Sequence, residues 1–92
     1  VEVPVFVDKA GFHPVHVGLL PPQCVALTHI NVMVEEMAVE AALTGDPTML
    51  FRAIAYDPLT AAVLSLAEIK DMVSEMLQQN RDYLPQFKHF RV

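Results

Sequence analysis

Valine recurs at every second position at the start of the chain. Val1, Val3, Val5 and Val7 share one side of an extended backbone, the two-residue period of a strand. Pro4 falls on the other side and cannot donate a ladder hydrogen bond, so the segment reads as an edge strand or an extended arm. Asp8-Lys9-Ala10-Gly11 supplies turn chemistry, and Phe12 to Val17 is extended again, interrupted by Pro14. Gly18-Leu19-Leu20-Pro21-Pro22 breaks this pattern and leads into a helix.

That helix is expected to begin near Pro22, where a missing N–H costs nothing, and to stop at Thr44 with Gly45 just beyond its end. From Cys24 to Leu43 it is apolar nearly all the way round. Val25, Leu27, Ile30, Val32, Met33, Val34, Met37, Val39 and Leu43 form no single stripe, and a helix of this kind is usually enclosed on several sides. Asp46-Pro47 predicts a cap and first turn for a second helix through about Tyr56. Asp57-Pro58 ends that helix and can cap a short turn over Thr60 to Leu64. Ser65-Leu66-Ala67-Glu68 matches a capping box. The helix it opens runs to about Arg81, with Leu66, Ile69, Met72, Val73, Met76 and Leu77 on one face. The tail from Tyr83 to Phe87 is expected to be extended. The fold class is therefore α+β: a short N-terminal extended hairpin over residues 1–23, then three to four helices over residues 24–92.

Composition sharpens this picture. In 92 residues a core is necessarily small, yet 53% of the positions are hydrophobic. Some apolar surface must find a partner, which points to a piece of a larger body. Eleven acidic against six scattered basic residues give a net charge of −5, unsuited to nucleic acid or an anionic membrane surface. Cys24 alone cannot form an internal disulfide. The N-terminus lacks the basic region of a signal peptide, and Glu35, Glu36 and Glu40 argue against a membrane span, so a cytoplasmic location is the default expectation.

Candidate chemistry is sparse. His13 and His16 invite a metal reading, but three residues apart on an extended chain they point to opposite faces, and a third ligand is missing. Cys24 and His29 lie about 140° apart around a helix and cannot act as nucleophile and base. Glu36 and Glu40 form a like-charge pair at helical spacing, better explained as a solvated or interface face than as paired catalytic carboxylates. Gly11, Gly18 and Gly45 each stand at a break, so no phosphate-cradling loop is present. No catalytic, cofactor or metal residue is assigned on these grounds.

Several phrases nevertheless read as a set: Val-Glu-Val-Pro-Val-Phe-Val-Asp (1–8), Gly-Phe-His-Pro (11–14), Gly-Leu-Leu-Pro-Pro-Gln (18–23), His-Ile-Asn-Val (29–32), Ala-Val-Glu-Ala-Ala-Leu-Thr-Gly-Asp (38–46) and Asp-Pro-Leu-Thr (57–60). In this order and spacing, from Val1 to about Phe87, the chain resembles the C-terminal region of family 4 glycoside hydrolases. Its flavour is that of the α-glucosidase, α-galactosidase and α-galacturonidase branch rather than the 6-phospho-glycosidases. The resemblance implies a parent enzyme with an N-terminal Rossmann domain, lactate dehydrogenase-like in fold, that binds NAD and a divalent metal, typically manganese. It hydrolyses O-glycosidic bonds by oxidation, elimination, water addition and return of the hydride.

The family's cofactor loop, metal ligands and base lie upstream of the matching region, so none maps onto a residue here, Cys24 included. The isolated segment is expected to be inactive. Its implied role is to complete the second domain, packing on a missing Rossmann domain or forming a homo-oligomer through the Cys24–Leu43 helix. His13 and His16 are the substrate-cleft candidates for the carbohydrate. The competing expectation is a stand-alone helical dimerisation module without catalysis.

Overall fold

In the computed structural model, which describes residues 2–92, a two-stranded antiparallel hairpin precedes four helices. Strand β1 (Val5–Asp8) pairs with β2 (Gly11–Pro14) in the register Val5–Pro14, Phe6–His13, Val7–Phe12 and Asp8–Gly11. Lys9 and Ala10 make the turn. Asp8 Oδ1 accepts the Ala10 N–H at 2.7 Å, and Gly11 takes a φ of 122°, open to glycine alone. Pro4 sits outside the pairing but contributes its carbonyl, which accepts the Val15 N–H at 2.9 Å. The extended pattern thus yields a strand that starts later and a partner that stops sooner than expected, at Pro14 rather than Val17, because the next pair, Pro4 with Val15, can make one bond only, Pro4 having no N–H to return. The expected strand position at Val1 lies outside the described residues.

Helix α1 (Pro22–Thr44) has Pro22 in its first turn and no side-chain cap. It ends where Gly45, at φ 69°, donates its N–H to the Ala41 carbonyl at 2.8 Å. In α2 (Pro47–Tyr56) the Asp46 carboxylate accepts the Thr48 N–H at 2.8 Å. In α3 (Pro58–Val63) Asp57 accepts the N–H and the hydroxyl of Thr60 at 2.9 and 2.6 Å, so this helix starts before the expected Thr60. The Ser65–Glu68 capping box opens α4 (Leu66–Gln79) with both reciprocal bonds formed. At its end the Asn80 side-chain amide donates to the Met76 carbonyl at 2.8 Å, closing the helix short of Arg81.

The tail differs most from expectation. Arg81–Tyr83 form a 3-10 turn, and the chain then folds back so that Phe87 is buried. Burial of that aromatic ring outweighs the extended preference of the residues around Pro85. Ile69, Val73 and Leu77 of α4 meet Phe87 in the one substantial apolar core, flanked by Leu50 and Phe51 of α2 and by Leu84 and Phe90. The Val92 N–H donates to Ser74 Oγ at 3.2 Å, tying the end of the chain to α4.

Helix α1 packs on α2 but lies outside this core, and Ala41 is its buried residue. The molecule is flat and open, 42 × 36 × 14 Å, with a radius of gyration of 16.8 Å. A compact domain of this length would have about 12 Å. Its accessible surface is 7345 Å², whereas a folded monomer of this mass exposes about 5,300 Å². Many of the exposed apolar side chains lie on the hairpin and on α1, as the all-round apolar pattern of that helix implies, and Leu59, Val63, Leu66 and Tyr83 add to them.

Candidate functional site

Residues paired directly across an antiparallel ladder lie on the same face of it. The register therefore gives the hairpin two different sides. Val5, Val7, Phe12 and Pro14 share one, wholly apolar; Phe6, Asp8 and His13 share the other. Both are open, with Phe6 71% and Phe12 79% exposed. An isolated two-stranded ribbon is marginal in water, so an apolar side this bare is a surface prepared for packing.

On the mixed side, His13 Nε2 donates to Asp8 Oδ1 at 2.9 Å. That bond, joined by the Ala10 N–H, holds the Asp8 carboxyl below its ordinary value. It also fixes the neutral imidazole as the Nε2–H tautomer, leaving Nδ1 as an acceptor turned away from Asp8. His13 is thus oriented by a carboxylate and stands beside an aromatic ring, a combination able to hydrogen-bond a hydroxyl and cover an apolar ring face. His16 follows on the exposed connector to α1 and does not join this pair. Among the described residues no three of His, Cys, Asp and Glu assemble as a metal would require.

A second feature lies between α1 and α2, where His29, Ile30, Met33 and Met37 with Tyr56 line an apolar groove. Two thioethers make such a groove adaptable to the shape of whatever covers it. Cys24 is a free, half-buried thiol near the start of α1, and His29 instead faces the groove. Glu35, Glu36 and Glu40 are all exposed on α1, as a solvated or interface face requires. No described helix is long and apolar enough to cross a membrane.

Sequence reasoning picked out His13 but not Asp8, its partner across the turn, nor Tyr56 as the wall of the α1 groove. The Asp8–His13 spacing was the available signal. Five residues spanning a two-residue turn bring two side chains onto one face only once the register is known.

Residues 1–60 match the family model described as the family 4 glycosyl hydrolase C-terminal domain. An alpha-galactosidase of Rhizobium meliloti (strain 1021) is 39% identical over 97% of this chain and 18% of its own length. An alpha-galactosidase of Bacillus subtilis (strain 168) is 34% identical over 96% of the chain and 20% of its own length. An alpha-galacturonidase of Lachnoclostridium phytofermentans is 31% identical over 92% and 18%. The chain spans about a fifth of the length of these curated relatives. No solved structure matches it. The family match covers well over half of the chain, including the hairpin, all of α1 and all of α2, and on that evidence the chain belongs to the family 4 glycosyl hydrolases, carrying the sequence of their C-terminal domain.

Proposed function

We propose that this chain is the C-terminal segment of a glycosidase that cleaves O-glycosidic bonds by NAD-assisted oxidation and elimination with a divalent metal, manganese. α-Galactosides and α-galacturonides are its substrate class. The observation that carries the reading is the near end-to-end likeness to an alpha-galactosidase, joined to a hairpin whose apolar side has nothing over it. In this reading the Val5, Val7 and Phe12 side of the hairpin packs on a Rossmann-containing catalytic core. The opposite side then turns His13 toward the sugar, with His16 on the connector behind it.

The residues of this segment do not themselves suit either cofactor. The glycines sit singly at turns and a helix end rather than in a dinucleotide-binding loop, and no described cluster offers a metal three ligands. No chemical step is assigned to the segment, and in isolation it is inactive. Its contribution is packing and positioning.

The test is hydrolysis of p-nitrophenyl α-galactoside and α-galacturonide by the protein made from the complete reading frame, with NAD and manganese supplied. Turnover that requires both cofactors supports the reading; no hydrolysis of either substrate contradicts it. The exposed α1 favours a second reading, a stand-alone dimerisation module, which requires a complete reading frame that adds nothing to these residues and a dimer that unfolds cooperatively.

A further inference from the structure

The two sides of the hairpin place different demands on whatever lies against them. Val5, Val7, Phe12 and Pro14 carry no polar side-chain atom, so a protein surface covers them without stranding one. The side that holds Phe6, Asp8 and His13 is not covered so simply. Asp8 is held below its ordinary value by the His13 bond and then by the Ala10 N–H, and is a carboxylate at neutral pH. Its partner keeps Nδ1 as an acceptor. Apolar protein laid on this side would strand both groups, whereas a ligand rich in hydroxyls supplies donors to both.

Phe6 makes this side unlike an ordinary solvated face. It pairs directly with His13 across the ladder and is 71% exposed. An aromatic ring beside hydrogen-bonding groups suits a pyranose, which has C–H faces and hydroxyl edges. A galacto-configured ring suits it best. Its axial O4 leaves the hydrogens of C3, C4 and C5 on one face as an apolar patch, whereas in a gluco ring the C4 hydrogen turns to the opposite face. Charge narrows the ligand further. Galactosides and galacturonides differ at C6, a neutral CH2OH in one and a carboxylate in the other. Asp8 follows Phe6 by two residues on the same side of β1, about 7 Å along the strand. That is inside the screening length of physiological salt, about 8 Å, so a uronate stacked on Phe6 meets like charge. Lys9, the one Lys or Arg of the hairpin, sits in the turn, beyond Asp8 from Phe6.

From this, and resting on the glycosidase reading above, we infer that Phe6 and the Asp8–His13 pair form a sugar subsite that takes a neutral galacto-configured α-hexoside and turns away the corresponding uronide. Phe6 supplies the stacking face, and His13 Nδ1 accepts from a ring hydroxyl. Asp8 holds His13 and repels a C6 carboxylate. All three position the sugar, and none takes part in the bond-breaking step.

Steady-state kinetics of the protein made from the complete reading frame, with NAD and manganese, test this on p-nitrophenyl α-galactoside, α-glucoside and α-galacturonide. The unmodified enzyme should show its highest kcat/KM on the α-galactoside. Phe6→Leu should raise KM for that substrate about 10-fold with kcat little changed, and Phe6→Tyr should keep it near the unmodified value. Asp8→Asn should raise kcat/KM on the α-galacturonide about 10-fold relative to the α-galactoside. Circular dichroism verifies that each variant is folded. An unmodified enzyme that prefers the α-galacturonide would overturn the subsite and leave the glycosidase reading standing. So would an unchanged KM in Phe6→Leu together with an unchanged substrate ratio in Asp8→Asn. Hydrolysis of none of the three substrates would overturn both.

Discussion

The backbone of Gly45 lies against the Gln86 carbonyl, so closely that a Cβ on Gly45 would overlap it. One glycine therefore ends α1 and also seats the C-terminal tail that brings Phe87 into the core. Its left-handed φ of 69° adds a second reason for glycine at this position. Gly45→Ala meets both penalties, and urea denaturation should show a loss of about 3 kcal/mol with the tail displaced. An unchanged midpoint would mean that the tail does not pack as described.

Stability is concentrated on one side of the molecule. Phe87 closes the cluster of Ile69, Val73 and Leu77, so Phe87→Ala should cost about 3–5 kcal/mol, a large share of what a chain this small possesses. Leu27, at 77% exposure on α1, contributes little to the folded monomer, and Leu27→Gln should change stability by less than about 0.5 kcal/mol while improving solubility. Chemical denaturation of the two variants side by side checks the contrast.

Helix caps set the acid response. The Thr60 hydroxyl, then the Thr60 N–H, holds Asp57 below its ordinary 3.8, and the Ser65 hydroxyl and N–H hold Glu68 below its ordinary 4.5. Both folded-state values are depressed, so the stabilisation is complete above the unfolded values and drains as pH falls through the folded ones. The denaturation midpoint should be flat from pH 7 to 5 and decline below about 4.5. Ser65→Ala removes the largest cause acting on Glu68. It should lower stability at neutral pH by about 1 kcal/mol and make the acid decline shallower.

Much of this architecture can be read from local chemistry. Pro22, Asp46-Pro47, Asp57-Pro58, Ser65 with Glu68, and Gly45 each act on backbone groups within a few residues, and the ends of α1 and α2 follow from them directly. The unsealed α1 was foreshadowed too, because a helix apolar on every side has no use for so much apolar surface unless it is covered. The burial of Phe87 was not legible, since it depends on α2 and α4 leaving a space more than ten residues away in sequence. Nor was the Asp8–His13 pair, which exists only in one strand register. His13 stands out in the sequence as a candidate; the carboxylate that bonds it does not.

That pair gives its own prediction for the longer enzyme. On the proposed reading, in which His13, held by Asp8, faces the sugar, His13→Gln should raise KM about 10-fold with kcat little changed, and Asp8→Asn should do the same more weakly. Steady-state kinetics on an α-galactoside, with folding verified by circular dichroism, measures this. Unaltered KM in both variants would leave the hairpin a packing element alone.

The central claim is that the hairpin and α1 are surfaces meant to be covered, whereas Ile69, Val73 and Leu77 of α4 and Phe87 of the tail already form a buried core. Hydrogen exchange, compared between the dilute isolated chain and the protein made from the complete reading frame, addresses it most directly. The account predicts that amides of Val5–Pro14 and of the first half of α1 exchange at least about 100-fold more slowly in the longer protein, while α4 changes little. Equal exchange of the hairpin and α1 in both proteins would contradict it.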